Sequence, residues 1–139
     1  MSTDISLQTR SYQVDDRRWL LAEPDVKLNR TLDPSKFVAG THYPNGYLPS
    51  GTVIAKVTAT GLYGPYDATA SDGRQLAADG LTYGSATFVR QDGSTAAKVG
   101  ISVVVYDTIV SAGKLPFQSG AGAIDTAGKG NLAQIRWEA

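Results

Sequence analysis

Apolar and polar positions alternate most clearly in two stretches. In Val53-Ile54-Ala55-Lys56-Val57, residues Val53, Ala55 and Val57 fall on one side of an extended chain and Ile54 and Lys56 on the other. The second side is mixed, as in a strand that is half exposed or at an interface. The stretch is entered through Leu48-Pro49-Ser50-Gly51, turned at Thr60-Gly61 and followed by Leu62-Tyr63-Gly64-Pro65, which predicts a hairpin. Pro65 has no N–H to give a ladder and is expected at an edge or a strand end. The second alternating stretch runs from Lys98 to Val110. Val99, Ile101, Val103 and Val105 share one side, with Ser102, Val104 and Tyr106 opposite. Its β-branched content disfavours helix and predicts one long strand, with Gly100 marking a bend or a close backbone approach.

The remaining pattern is shorter. Leu81-Thr82-Tyr83 and Ala86 to Arg90 read as strand interrupted at Gly84, and Leu132 to Trp137 alternates enough to close a sheet as the last strand. Asn45-Gly46, Asp72-Gly73, Asp79-Gly80 and Asp92-Gly93 are turn dipeptides. Helix is limited to single turns. One is at Pro34–Phe37, with Asp33 as N-cap and Pro34 in the first helical position; another is near Ala123–Ala127 in a glycine-rich loop. The expected fold is all-β, a small barrel-like domain with little helix.

Residues 1–45 show no sustained periodicity, and the expected division is an extended arm over 1–45 followed by a β-rich domain over 46–139. A structureless stretch of that length is unusual inside a compact domain. Its content of Tyr12, Trp19, Leu20, Leu21, Phe37 and Tyr43 is too apolar for a spacer. These side chains either pack back on the domain's own core or anchor the arm on a partner. Aromatic residues dominate interface hot spots, so Tyr12, Trp19, Leu20, Leu21 and Phe37 are the candidate arm anchors.

Composition removes several chemistries. The 139 residues carry 13 basic and 13 acidic side chains, no cysteine and one histidine. Nothing in that balance attracts nucleic acid or an anionic membrane, and disulfides, zinc thiolates and cysteine nucleophiles are excluded. No apolar run is long enough for a membrane-spanning helix. The start Met1-Ser2-Thr3-Asp4-Ile5-Ser6 lacks the basic and apolar regions of a secretory signal, so synthesis in a cytoplasm is expected. His42 lies in a Pro/Gly turn and is expected at the surface. Ser50 lacks a Gly-x-Ser-x-Gly elbow. Gly120-Ala121-Gly122 and Gly128-Lys129-Gly130 fall short of dinucleotide and phosphate-loop patterns. The Asp-Gly pairs sit in no EF-hand frame. No catalytic residue, metal ligand or cofactor site is expected.

One ordered string of short motifs carries more. It comprises Leu48-Pro49-Ser50-Gly51-Thr52-Val53-Ile54-Ala55-Lys56, Gly61-Leu62-Tyr63-Gly64-Pro65-Tyr66-Asp67, Asp72-Gly73-Arg74 and Ala77-Ala78-Asp79-Gly80-Leu81, followed by the Val-rich strand ending near Leu115-Pro116. In order and spacing this string, about half of the chain, resembles the head decoration (capsid cement) proteins of tailed bacteriophages. The resemblance implies a barrel-like or β-tulip domain. It implies a homotrimer on the outer surface of an expanded icosahedral head, bound to the major capsid protein and stabilising the shell against packaged DNA, with neighbouring trimers as further partners. It also implies an N-terminal segment that orders on the shell, which fits strand addition by an extended peptide. Trimer contacts are expected near Leu62, Tyr63, Pro65 and Tyr66. Neither nucleic acid nor membrane is an expected partner, and the resemblance brings no enzyme activity and no cofactor. The competing readings are another β binding module, such as a tail or baseplate piece or an adhesin, and a small hydrolase using Ser50 or Asp72.

Overall fold

The predicted hairpin is present and forms the middle of the molecule. In a computed structural model, which describes residues 15–139, β3 (Val53–Lys56) pairs antiparallel with β4 (Tyr63–Pro65) in the register Ile54↔Pro65, Ala55↔Gly64 and Lys56↔Tyr63. Pro65 is the last residue of β4, the position that its missing N–H allows. Around the hairpin the chain supplies β1 (Leu28–Leu32), β5 (Gly80–Thr82) and β7 (Val99–Val104). The five strands close into a barrel in the order β1-β4-β3-β5-β7, with β7 returning to β1 over Leu28↔Val103 to Leu32↔Val99. Two strand pairs lie outside it. One joins β2 (Tyr47–Leu48) to β6 (Ala86–Thr87). The other joins β8 (Thr108–Ser111) in parallel to β9 (Ile135–Glu138). Among the described residues helix is confined to α1 (Ala39–His42), α2 (Thr126–Asn131) and two 3-10 turns, at Pro34–Lys36 and Ala112–Lys114. With 29% strand and 13% helix among the described residues, the chain is a small all-β domain.

The second face of β3 is mixed, as expected: Ile54 is fully buried and Lys56 is exposed. On one side Val53, Ala55, Leu81 and Val104 pack with Trp19, Tyr66, Val110, Leu132 and Ile135. On the other, Leu32, Ile54 and Val103 pack with Phe37, Leu48 and Phe88. Fully burying one such side chain is worth about 1.5–3 kcal/mol, so the two clusters hold the sheet from both sides.

Residue 45 is not a structural boundary. Leu28–Leu32 is a barrel strand, and Trp19, Leu32 and Phe37 are core residues, so the domain includes most of what was expected to be arm. The reason is geometric: β1 is the strand that closes the barrel between β4 and β7. The expected long strand over Lys98–Val110 is also two strands. β7 ends at Val104, Asp107 takes a left-handed conformation (φ 60°) and β8 then leaves the barrel to join β9. Among non-glycine residues, Asp tolerates that conformation comparatively well. β9 therefore pairs outside the barrel instead of closing it.

Two smaller expectations change as well. Asp79-Gly80 is not a turn: Gly80 opens β5, and a Cβ there would sit 2.7 Å from the Val104 carbonyl oxygen, so only glycine lets β5 and β7 approach. Gly100 faces open space and marks no close approach. The 3-10 turn after Asp33 is as expected, with the Asp33 carboxylate accepting from the Ser35 N–H.

Candidate interaction surfaces

Residues 15–27 form a strap across the barrel, and Trp19 is its anchor. The indole is fully buried, and its Nε1–H donates to Ser50 Oγ at 3.2 Å. Ser50 Oγ in turn donates to the Tyr83 carbonyl at 2.7 Å. Gly51, next in sequence, has φ +92°, and a Cβ on it would stand 2.8 Å from Trp19 Nε1. The motif Pro49-Ser50-Gly51 thus serves as the seat of an indole ring. From Trp19 to Leu21 the strap runs antiparallel to β8. The Ser111 N–H donates to the Trp19 carbonyl at 2.7 Å, Leu20 bridges Val110, and the Leu21 N–H donates to the Ile109 carbonyl at 2.8 Å.

Charge fastens the rest of the strap. The Arg17 guanidinium and the Lys27 ammonium stand 4.5 and 4.4 Å from the centre of the Tyr83 ring. The Tyr83 hydroxyl donates to Glu23, which also pairs with Lys27 at 3.0 Å. These two partners hold the Glu23 carboxyl below its ordinary range, the tyrosine hydrogen bond contributing most. Ser85 Oγ donates to Asp15 at the start of the described chain.

The expected arm anchors therefore separate. Trp19 and Phe37 are core residues of this chain; Phe37 meets Phe88 and His42 edge-on at ring distances of 5.1 and 5.5 Å. Leu20 is half-buried against the same core as Trp19. Leu21, 50% exposed, is the one described anchor that offers substantial surface, joined on the strap by exposed Val26. Tyr12 lies outside the described residues.

The expected trimer contacts separate in the same way. Pro65 is buried, and its carbonyl accepts from Arg74 Nη1 at 3.2 Å. Tyr66 is 3% exposed, and its hydroxyl donates to Asp125 Oδ1 at 2.9 Å. Burial, followed by that carboxylate, pushes the Tyr66 phenol up to about 12. Both residues offer almost no surface to another chain. Leu62 and Tyr63 remain partly exposed. Tyr63 lies 5.5 Å from the Arg30 guanidinium, which pairs with Asp79 at 2.8 Å. Burial, then the Asp79 charge, raises its phenol above the ordinary value.

The groups considered for chemistry are engaged in structure. His42 is 2% exposed instead of lying at the surface. Its Nδ1 accepts from the Val38 N–H at 2.9 Å, and Nε2 lies 2.9 Å from the Ala121 carbonyl, a pairing that requires the Nε2–H tautomer. Ser50 is buried with its hydroxyl between Trp19 and Tyr83. Asp72 pairs with Arg74 at 3.0 Å and Lys36 at 3.5 Å. Among the described residues no three His, Asp or Glu side chains gather where they could hold a metal ion. A concavity beside Tyr66 has a volume of about 300 Å³ and is bordered by Asp67, Gln118 and Asp125.

One feature was not foreseen from sequence. Among the described residues, β9 is paired on one side only, and the indole Nε1 of Trp137 is the one buried side-chain nitrogen or oxygen without a hydrogen-bond partner. The alternation of Leu132–Trp137 signalled a strand there but not its neighbours. Comparison with protein-family models, with curated proteins and with solved structures finds no match to this chain.

Proposed function

We propose that this chain is a capsid decoration protein that binds the outside of an expanded tailed-phage head as trimers and stabilises the shell against internal DNA pressure. The observation that supports the reading is where the motif string falls. Leu48–Lys56, Gly61–Asp67, Asp72–Arg74 and Ala77–Leu81 are neighbours in space as well as in sequence. They form the Trp19 seat, the β3–β4 hairpin, the Asp72–Arg74 tie to the Pro65 carbonyl, and β5 beside β3. The string is the framework of one side of the barrel, not a set of unrelated turns. In this reading residues 1–14, with Tyr12, reach the major capsid protein beside exposed Leu21 and Val26 of the strap, and Leu62 and Tyr63 face the trimer axis.

High copy number on a repeating surface converts weak contacts into strong attachment. Preference for the expanded shell over the immature one supplies the stabilisation, because a ligand shifts an equilibrium by its differential affinity for the two states. The test is co-sedimentation of the purified chain with expanded heads lacking decoration and with unexpanded procapsids, imaged by electron microscopy. Saturable binding to expanded heads with density at threefold positions is expected, together with its loss on removal of residues 1–14 from a chain that still folds. Binding to neither shell overturns the reading in favour of another β binding module.

A further inference from the structure

We infer that the free edge of β9 pairs antiparallel with β9 of a second copy of this chain, about a two-fold axis through Trp137. The inference goes beyond the proposed function and stands without it.

The backbone direction follows from the neighbours of β9. The Asp107 N–H donates to the Gln134 carbonyl at 3.2 Å, so Gln134 addresses β8. Successive residues of a strand send their backbone groups to alternate sides. Arg136 and Glu138 therefore also address β8, and Ile135 and Trp137 address the outer edge. The Ile135 N–H is taken by the Leu132 carbonyl at 3.1 Å. The N–H and C=O of Trp137 remain, aimed out of the sheet, where β9 has no partner strand among the described residues. Ile135-Arg136-Trp137-Glu138 contains none of the proline or lysine that commonly blunts an edge.

Charge selects both the partner and the register. In an antiparallel pair centred on Trp137, the two Trp137 residues exchange N–H···O=C bonds. Arg136 of each copy stands opposite Glu138 of the other. A shift of two residues in either direction puts Arg136 against Arg136 or Glu138 against Glu138, and a shift of one reverses the faces. Both side chains are exposed and already pair within the chain at 2.9 Å, so the pairing of two copies makes a four-membered network. The orphaned Trp137 Nε1 is an independent sign that this neighbourhood is incomplete in the isolated chain.

The pairing joins one short strand to another, well below the area of a stable dimer. It is a weak contact that becomes effective where copies are concentrated. A two-fold contact cannot close a trimer, so in a trimer it joins one trimer to the next.

Because the chain has no cysteine, single cysteines report the register directly. Positions 136 and 138 of the two copies are a non-hydrogen-bonded pair, with Cα atoms about 4.5 Å apart, within disulfide range. Full-length Arg136→Cys and Glu138→Cys chains, mixed and oxidised, are expected to form the mixed disulfide in large excess over either homodisulfide. The random ratio, with the mixed disulfide only about twice each homodisulfide, or no more product than a mixture of Gln91→Cys and Lys114→Cys chains, overturns the inference. Sedimentation of the concentrated protein gives a second reading. Arg136→Glu places like charges in register and is expected to weaken association about five-fold or more per pair, and Arg136→Glu with Glu138→Arg to restore it. Association indifferent to Arg136→Glu also overturns the inference.

Discussion

In the barrel every strand has a neighbour on both sides, whereas in the β8–β9 sheet beside it β8 has two neighbours and β9 has one among the described residues. The barrel is held by its own closure and by packing on both faces. The small sheet has no closure and is held to the barrel by the packing of Val110 and Ile135 with Val53, Ala55, Leu81 and Val104, and by a few joints. Trp19 lies between β8 and Ser50, the corner 105–107 carries the chain across, and Tyr66 reaches Asp125 at the cap of α2, just before β9. The difference locates where the molecule is inert and where it can add partners. A closed barrel presents no backbone edge, so among the described residues strand-to-strand contact with another chain falls to the two pairs outside it, β8–β9 and the two-residue strands β2–β6.

The largest test of this contrast is truncation. Removing residues 1–43 takes away Trp19, β1 and Phe37, and so opens the barrel and empties part of both clusters. The shortened chain is expected not to fold, in contrast to what an arm ending at residue 45 implies. Removing residues 1–14 leaves every described contact in place and is expected to leave the thermal midpoint nearly unchanged. Circular dichroism melts of the two shortened chains decide it: a cooperative melt of residues 44–139 would show that β1 is dispensable.

Trp19→Ala acts next. Removal of a fully buried indole costs about 3–5 kcal/mol, and here it also leaves Ser50 Oγ without its donor. Its distribution distinguishes the two regions. Amide protection is expected to fall first at β8, where the Ser111 and Leu21 N–H groups bond the strap and its partner, and later in β3 and β7. Uniform loss across barrel and small sheet would show that the two unfold as one unit.

How much of this was legible follows the reach of the signals. The β3–β4 hairpin, the Asp33 cap and the Asn45-Gly46 turn are set by neighbours in sequence, and each is where the pattern put it. β1 was hidden because its middle core-side position is Arg30. Leu28, Arg30 and Leu32 face Val103, Ile101 and Val99 across the ladder, and Arg30 is tolerated there because Asp79, distant in sequence, neutralises it at 2.8 Å. His42 looked like a surface turn residue because its partners, Val38 N–H and the Ala121 carbonyl, are supplied by the fold. Trp19 and Phe37 were expected to anchor an arm on a partner and are core residues of this chain. A single sequence does not say whether such an anchor sits in its own chain's core or in another's. Pro65 and Tyr66 failed as surface candidates for the same reason.

Tyr66 provides the smallest and sharpest test, because it joins the barrel to the turn that leads into β9. Tyr66→Phe keeps the ring among Val53, Ala55 and Leu132 and removes only the hydroxyl that donates to Asp125. Loss of one such bond to a partly exposed carboxylate costs about 1 kcal/mol. The pH dependence identifies it. A tyrosine in an unfolded chain ionises near pH ~10, whereas folding pushes Tyr66 up to about 12 through burial and the neighbouring carboxylate. The folded state thus holds its proton where the unfolded state has lost it. The stabilisation is complete below pH ~10 and is lost as the pH rises toward 12. Wild-type protein should lose stability over that window more steeply than Tyr66→Phe, so that the gap between their denaturation midpoints narrows with rising pH. Parallel decline of the two proteins would mean that another group governs alkaline unfolding and that the Tyr66–Asp125 bond is not a joint between the barrel and the small sheet.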